Sequence, residues 1–461
     1  MPAGKVLLCV TLSATALGAC SPPPLPDPFT VRWGRSMSGP SNEDEIDGVA
    51  AGAEGSVFVT GKFERSTSIG GTTLTSAGAA DIPFARFDSS GAARWVKRFG
   101  GTGEDNLFDV DADDTGAVAT GWFEGTVAFG GVTLTSAGAS DCVVVSVTNA
   151  GSVRWARAFG GPLRDGCNEV TIASDGSVVT SLDTEGGWTP PGVPAIAPLS
   201  GPDTLLARLT GTGSPQWLRR VGGAGAQRGK ALAVAPDGSV DFGGDTRGAL
   251  QVGGRSVPLQ GAGRDAWFGR WSAAGQLQWV QLWGGPGDDL VKGLVDDGTR
   301  IYAVGPFTGD VRVAGSPLAA GTAPDLAVTR FSPGGALTWA TSVTATGGLT
   351  GAEVALAPDG GVLFGSARAD GIQFRQVSGS AVPLDDDPGG IGWLAHYRPD
   401  GSVAFAQTVA GTADGRPGEV ARDGRRVYLD VVLRGDANRA AGTPLPAVGK
   451  DGSVWALDLA A

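Results

Sequence analysis

The chain has 461 residues, of which 77 are glycine and 29 are proline, while 41% are hydrophobic. Abundant glycine beside enough apolar residues for a core indicates many tight turns between short strands and argues against disorder. The net charge of −12 and the lack of a long Lys or Arg run argue against a nucleic-acid partner, and the single histidine excludes a site with several histidine ligands.

Residues 1–19 have the features of an export signal. Lys5 precedes the apolar stretch Val6–Leu12, which is too short to span a membrane stably. The segment ends in Leu17-Gly18-Ala19-Cys20, which resembles the lipobox of bacterial lipoproteins. The resemblance implies cleavage before Cys20 and acylation of this residue, by palmitate among other acyl chains, so that lipid anchors the protein to a membrane. An ordinary secreted protein is the alternative interpretation.

The residues after Cys20 predict a spacer. Ser21 stands where a retention signal would place Asp, and in lipoproteins of this kind that implies sorting to the outer membrane. Prolines crowd residues 22–28 and predict an extended tether over residues 20–29. We therefore expect a lipid-anchored envelope protein whose folded part spans residues 30–461, and its periplasmic or surface orientation stays open.

One pattern recurs along residues 30–461. An aromatic residue marks each copy at intervals of 60 to 66 residues, and from the second copy onward a glycine stands four residues before it. The aromatic residues are Trp33, Trp95, Trp155, Trp217, Trp279, Trp339 and Phe405. A period of this length is typical of repeated supersecondary units, and the glycine predicts a hairpin turn with positive φ. We expect these aromatic residues to be structural and to pack between repeats.

Each copy contains four short stretches with the alternation of strands, separated by turn residues. The last copy ends after its third strand, Val454–Leu457, whereas the chain supplies an unmatched fourth strand at Val31–Trp33. We expect these two ends to pair and close a ring. The prediction is an all-β fold: a single seven-bladed β-propeller of four-stranded blades, with the N-terminal strand closing the last blade.

The early repeats resemble a known family. Phe99–Asp105, Gly116–Gly121 and Phe129–Leu134 are similar to the bacterial secreted β-propeller repeat, often called the SBBP repeat. The resemblance covers roughly residues 30–461 and weakens in the last two copies. It implies a propeller in the cell envelope and says little about activity, because one fold hosts many functions.

Acidic residues recur at two positions of the repeat, 14 residues before and ten after the aromatic residue. The first series is Asp81, Asp141, Asp203, Asp265 and Asp325, and the second is Glu43, Asp105, Asp165 and Asp289, with Gln227 in the fourth copy. One hypothesis is a circle of Ca²⁺ sites at one rim. The preferred hypothesis is that each carboxylate accepts N–H groups of its own glycine-rich loop, with no cofactor.

Cys142 and Cys167 remain as a pair once Cys9 leaves with the signal and Cys20 is acylated. Both begin strands at the same rim in neighbouring blades, so we expect a disulfide, with two separate buried thiols as the alternative. His396 lies in an apolar strand and is expected to be a packed or surface residue.

No catalytic set converges in this pattern, so the function we expect is that of a non-catalytic, monomeric module that binds or scaffolds a protein or glycan partner. Its contact surface would be the long hairpins Gly71–Gly78, Gly131–Gly138, Gly253–Gly263 and Ala314–Thr322. One alternative is an enzyme acting on a polysaccharide or using a quinone cofactor, for which Asp385, Asp386 and Asp387 are the first candidates for a functional pair. The other is a structural surface adhesin.

Overall fold

The computed structural model describes residues 29–40, 44–186, 202–320, 324–349, 351, 353–367, 369–384, 390–410, 414–434, 438–440, 443–445 and 450–459. Within these ranges the regular elements are strands and one short 3-10 turn, Ala53–Gly55, so the fold is all-β as predicted. The signal segment, Cys20, Glu43 and Asp385–Asp387 lie outside the described residues. Among the residues described, no helix has the length and apolar character needed to cross a membrane.

The strands follow one another in chain order as β1 (Phe29–Ser38), β2 (Glu45–Gly52), β3 (Ser56–Ile69), β4 (Thr72–Phe87), β5 (Ala93–Phe99), β6 (Asp105–Asp113), β7 (Gly116–Phe123), β8 (Thr126–Phe129), β9 (Val132–Thr135), β10 (Asp141–Thr148), β11 (Val153–Phe159), β12 (Asp165–Ile172), β13 (Val178–Thr184), β14 (Asp203–Leu209), β15 (Pro215–Gly223), β16 (Gln227–Val234), β17 (Val240–Thr246), β18 (Leu250–Val252), β19 (Arg255–Val257), β20 (Asp265–Trp271), β21 (Leu277–Gly284), β22 (Gly293–Asp296), β23 (Ile301–Phe307), β24 (Val311–Val313), β25 (Ser316–Leu318), β26 (Asp325–Phe331), β27 (Leu337–Thr344), β28 (Glu353–Leu356), β29 (Val362–Ala367), β30 (Gln373–Arg375), β31 (Ala381–Pro383), β32 (Gly390–Tyr397), β33 (Val403–Ala410), β34 (Asp414–Asp423), β35 (Arg426–Arg434), β36 (Asn438–Ala440), β37 (Thr443–Leu445) and β38 (Lys450–Leu459).

Consecutive strands pair antiparallel into ladders of four, in a propeller-like arrangement. Five ladders belong to separate sheets: β6-β7-β10-β11, β12-β13-β14-β15, β16-β17-β20-β21, β22-β23-β26-β27 and β28-β29-β32-β33. An eight-stranded sheet contains the other two, β2-β3-β4-β5 and β34-β35-β38-β1. The structure therefore shows five separate blades where seven were predicted, because pairing between β1 and β3 fuses the other two ladders into one sheet.

The predicted meeting of the chain ends is confirmed. β1 runs antiparallel to β38, with Trp33 opposite Ala456 and Arg35 opposite Val454. The far end of β1 also pairs with β3, where Met37 lies opposite Ile69. β1 is the outermost strand of the last ladder, so this second contact attaches the last ladder to the first.

The first strand of each ladder borders a central channel. These inner strands are β2, β6, β12, β16, β22, β28 and β34; each contacts the next, and β34 contacts β2. Residues from every one of them line a single cavity of about 390 Å³. The apolar core lies between neighbouring ladders. The rings of Phe268 and Phe331, from adjacent ladders, are 4.8 Å apart between centroids.

The hairpins between the second and third strands cover the outer edge of the preceding ladder. β18 pairs with β15, β24 with β21 and β30 with β27, and the inward residues Val252, Val313 and Phe374 are buried. An uncovered outer strand would expose unpaired N–H and C=O groups. These hairpins are thus partly contacts between ladders, and the pairing of β1 with β3 is the same contact at the ring closure.

The repeated tryptophans join each ladder to the next one. The indole Nε1 of Trp95 donates to the carbonyl oxygen of Asn149 at 2.9 Å, and that of Trp155 donates to Gly211 at 2.8 Å. Equivalent bonds to the next hairpin turn are made by Trp33, Trp217, Trp279 and Trp339. Phe405 occupies this place in the sixth ladder and lacks the donor; its ring lies 5.7 Å from that of His396 between centroids.

The repeat glycine fits against the tryptophan of the preceding ladder. Gly213 has φ of +80°, and a Cβ added there would stand 2.7 Å from the Trp155 ring. The same holds for Gly275 against Trp217, at 2.8 Å. The position therefore needs glycine for its backbone conformation and for space.

Gly213→Ala tests this contact, with Gly176→Ala as its matched control. Gly176 has φ of +78° and no atom within 4 Å of an added Cβ, so alanine there suffers only from the left-handed conformation. We expect the control to lose about 1 kcal/mol of unfolding free energy and Gly213→Ala about 3 kcal/mol, measured by urea denaturation. Equal losses would show that the tryptophan contact is not restrictive.

Candidate functional site

The rim acids lie in pairs where one ladder meets the next. The residues preceding each aspartate form parallel bridges, Ala80 with Glu104 and Ser140 with Arg164, which places Asp81 beside Asp105 and Asp141 beside Asp165. Asp265 likewise lies near Asp289, since burial and, to a smaller extent, the charge of Asp265 raise the pKa of Asp289. The two series therefore meet at one rim.

Most rim carboxylates accept the N–H group four residues earlier in their own loop. Asp105 accepts from Gly101 at 2.8 Å, and Asp165 accepts from Gly161 at 2.6 Å. Asp81, Asp141 and Asp289 make the same bond. The remaining members differ: Asp265 accepts from Gln260 five residues earlier, Asp325 accepts from Ala345, and Asp203 forms an ion pair with Arg220.

These bonds give the rim acids a loop-closing role. In the part of the chain that the structure describes, no group of three or more His, Cys, Asp or Glu side chains is arranged to hold a metal ion. The circle of Ca²⁺ sites stays a hypothesis, and none of the contacts above favours it.

Asp44 fills this position in the first repeat, where the sequence count pointed to Glu43. Asp44 Oδ1 accepts from the N–H of Glu64 at 3.2 Å, as Asp105 Oδ1 accepts from Glu124 at 3.1 Å. Counting from Trp33 misplaced it, because the chain from Trp33 to the first inner strand is one residue longer than in the next copy. Counting back from the inner strand finds it, since Asp44 stands two residues before Ile46, just as Asp105 stands two residues before Leu107.

Burial perturbs these carboxyl groups. Burial, opposed by its backbone hydrogen bonds, raises the pKa of Asp289 to about 7 and that of Asp105 to about 6. Burial likewise raises the pKa of Asp44 to about 6. Each group thus keeps its proton up to a higher pH in the folded protein than in the unfolded chain.

The expected disulfide joins Cys142 on β10 to Cys167 on β12. Both cysteines are fully buried, and their Cα atoms are 4.9 Å apart. The bond lies next to the Asp141 and Asp165 pair and links the second ladder to the third covalently.

A second cluster, the channel mouth, consists of Asp109, Glu169, Lys230, Lys292 and Glu353. These residues come from five successive inner strands or, for Lys292, from the position just before one. Asp109, Glu169 and Lys230 lie where the ladder register slips by a bulge. A bulge redirects side chains, which here brings charges to one level of the channel.

The positive charges of the channel mouth have partners. Lys292 Nζ forms an ion pair with Glu353. Lys230 Nζ donates to Asn168 Oδ1 at 2.7 Å, and Asn168 Nδ2 donates to Asp183 Oδ2 at 2.8 Å. The two ammonium groups therefore stand in a polar network along one side of the channel.

Two carboxylates of β6 hold the neighbouring inner strand. Asp109 Oδ2 accepts from the N–H of Val170 at 2.6 Å, and Asp111 Oδ2 accepts from that of Ile172 at 2.7 Å. These N–H groups belong to the inner edge of β12, where no further strand can pair with them. Asp109 and Asp111 therefore have a structural role as well as facing the channel.

Glu169 differs from its neighbours. Its backbone makes hydrogen bonds with Ser181 and Thr180, but within the described residues no hydrogen bond is seen for its carboxyl group, which lines the channel. Burial and the nearby carboxylates of Asp109 and Glu353 raise the pKa of Glu169 well above its usual value, against the ammonium groups of Lys292 and Lys230.

A buried ion network lies at the other end of the channel. Arg270 Nη1 donates to Asp241 Oδ2 at 2.8 Å and to Asp296 Oδ2 at 2.6 Å, linking the fourth ladder to the fifth. Burial and the neighbouring Asp296 carboxyl raise the pKa of Asp241 well above its usual value. Only Asp296 of the three lines the channel.

His396 lies away from the channel mouth. Its Nε2 is 2.9 Å from Asp359 Oδ1, and burial lowers its pKa against the charge of Asp359. Sequence reasoning missed the channel mouth altogether. The available signal was a repeat position, directly before Val110, Val170 and Ala231 in their inner strands, whose charge changes from copy to copy.

No protein-family model and no curated protein sequence matches this chain. Among solved structures it is similar to a puromycin hydrolase variant in complex with PGG, with a TM-score of 0.42 and 11% identity over 89% of this chain and 55% of that one. The chain thus spans about half the length of that enzyme.

Two further structures show weaker likeness. The hemagglutinin-neuraminidase ectodomain of parainfluenza virus 5 matches with a TM-score of 0.34 and 8% identity over 94% of this chain and 85% of that one. A catalytically inactive virginiamycin B lyase from Staphylococcus aureus matches with a TM-score of 0.31 and 10% identity over 93% of this chain and 99% of that one. These similar structures are mostly of enzymes, but likeness of this degree carries no argument about activity.

Asp289→Asn is expected to change how stability depends on pH. The raised pKa means that the folded state binds more protons than the unfolded state between about pH 4 and pH 7, so the unfolding free energy falls as pH rises through that interval. Asparagine cannot titrate, so the variant should lose less stability over the interval, by roughly 1 to 3 kcal/mol.

Urea denaturation at several pH values measures this effect, and Asp114→Asn is the control because Asp114 is exposed on a hairpin turn. A pH dependence of Asp289→Asn identical to that of the natural protein would refute the assignment.

Proposed function

We propose that this protein is an exported, non-catalytic binding module that takes a small ligand at the channel mouth. The observation that carries the proposal is the cavity of about 390 Å³, into which charged side chains from neighbouring inner strands converge. A cavity of this size is within the range of small-molecule sites, and its walls are held by strands and not by loops.

The chemistry at the channel mouth favours binding over catalysis. Asp109 and Asp111 are committed to backbone N–H groups of β12, and Lys292 is committed to Glu353. Groups held this way orient a ligand but are poorly placed to exchange protons with it. The polysaccharide or quinone enzyme stays the alternative, and the contacts described above do not favour it.

The fused eight-stranded sheet supports a ring of seven blades. Its two ladders each contribute one inner strand, β2 and β34, and these strands contact each other across the closure. We count them as two blades joined by the same hairpin contact that links β18 to β15.

Export and lipid anchoring belong to the same proposal. The Cys142–Cys167 bond accords with an oxidising compartment outside the cytoplasm. The lipobox and Ser21 support an outer-membrane lipoprotein anchored through Cys20. The exposed hairpin tips, such as Gly254 and Arg255, are left for a protein or glycan partner, as a scaffold or an adhesin would need.

Cys20→Ser tests the anchor. The natural chain should incorporate labelled palmitate and sediment with membranes, whereas Cys20→Ser should do neither. Cys9→Ser is the matched control, because Cys9 lies in the removed signal and its loss should leave labelling unchanged. Labelling of Cys20→Ser at the natural level would exclude Cys20 as the acylated residue.

Thr171→Trp tests whether ligands use the channel. Thr171 lines the cavity and is half-buried, so the indole should fill channel space. In a panel of sugars, amino acids, amines and organic phosphates, a ligand should raise the melting temperature of the natural protein by about 2 °C or more and leave Thr171→Trp unchanged.

Thr133→Trp is the control for this experiment, because it places the same side chain on an exposed position of β9. Binding in the channel would be contradicted if no compound class raised the melting temperature of the natural protein. It would also be contradicted if a compound raised that of Thr171→Trp by the same amount.

A further inference from the structure

The carboxyl group of Glu169 is the starting point. It projects from β12 into the cavity, and within the described residues its carboxyl oxygens show no hydrogen bond, while the neighbouring carboxylates of Asp109 and Asp111 accept backbone N–H groups. A carboxyl group placed in a partly desolvated cavity without a donor is costly unless something pairs with it.

The charges that line the cavity have an acidic excess. Asp109, Asp111, Glu169, Asp296 and Glu353 face it, against Lys292 and Arg422. The ion pair between Lys292 and Glu353 offsets one charge of each sign. A cation near Glu169 would be attracted by the remaining carboxylates, above all Asp109, whereas an anion would be repelled by them.

Beyond the channel mouth the cavity is lined by the inner strands themselves. Val110, Val170, Leu232, Leu294 and Val420 lie next along these strands, but their side chains are almost wholly buried between the ladders. The surface that faces the cavity is therefore more polar than apolar, and the channel suits a slender polar chain that continues from a charged head group.

We propose that the channel mouth binds the primary ammonium group of a small linear organic amine, with the Glu169 carboxylate as the group that contacts it. The rest of the amine extends along the channel. This inference rests on the proposed binding function and names the ligand class of that site.

Binding of an ammonium group ionises Glu169. In the empty channel, burial and the carboxylates of Asp109 and Glu353 favour its neutral form against the ammonium groups of Lys230 and Lys292. Asp111 of β6 and Arg422 of β34 also line the cavity, and burial raises the pKa of Asp111 to about 6. A bound cation favours the carboxylate, so a proton is released on binding, and affinity rises with pH until Glu169 is ionised without ligand.

The experiment is titration calorimetry of the exported, full chain with spermidine at two pH values, each in two buffers of different ionisation enthalpy. The expected result is binding that strengthens from the lower to the higher pH, with a heat that depends on the buffer wherever binding releases the proton of Glu169. Glu169→Gln should weaken binding by roughly tenfold or more and remove the buffer dependence. The substitution keeps the side-chain shape, and near-ultraviolet circular dichroism checks that the variant is folded.

Glu185→Gln is the matched control, since Glu185 is exposed in the same ladder and outside the cavity; it should bind as the natural protein does. Equal affinity of Glu169→Gln and the natural protein, or no heat with spermidine, overturns the proposal. Binding of a short lysine-containing peptide without binding of spermidine also overturns it, in favour of a lysyl side chain. If spermidine fails while another compound class gives stabilisation that Thr171→Trp abolishes, the amine assignment fails and the binding function stands.

Discussion

The antiparallel pairing of β1 with β38 is the constraint on which the channel depends. Trp33 lies opposite Ala456 in this pairing, so the last ladder contains the first strand of the chain, and the opposite end of β1 continues into β3 of the first ladder. A ring can enclose a channel only when its ends are joined, and joining them by strand pairing also removes two exposed sheet edges. The channel is therefore a consequence of closure, and the charges of the channel mouth, which come from five successive inner strands, face this channel.

Three repeated contacts transmit this constraint around the ring. An indole N–H bonds to the next hairpin, a glycine fits under that indole, and an outer hairpin completes the edge of the preceding ladder. Each contact joins a ladder to its neighbour only, so stability is distributed as in other repeat proteins and tolerates local variation. Phe405 and Gln227, which depart from the pattern, are accommodated in this way. The inner strands make few of these contacts, which leaves their channel positions free to vary in charge.

The strand pattern, the meeting ends and the disulfide were predictable because each depends on local alternation, turn chemistry or compartment. The rim role of Asp105 and Asp165 was also within reach, since an aspartate beside a glycine-rich loop usually accepts its N–H groups. Three expectations needed correction. The acidic position of the first repeat was assigned to Glu43, one residue before Asp44. Two ladders proved to share one sheet, and the hairpins expected to form a contact surface pair partly with neighbouring ladders. The first error comes from a connection that is one residue longer in the first copy, whereas the other two concern contacts between repeats, which a single repeat does not record.

The sequence by itself determined the all-β architecture, the period and the place where the ends meet, because alternation and glycine turns are local properties that recur in every copy. Only the tertiary structure decided which charges face one another. Asp109, Glu169, Lys230, Lys292 and Glu353 are about 60 residues apart along the chain, and they become neighbours because successive inner strands pack side by side around the channel. The interactions between these charges depend on their distances across the ring, and no local sequence pattern encodes those distances.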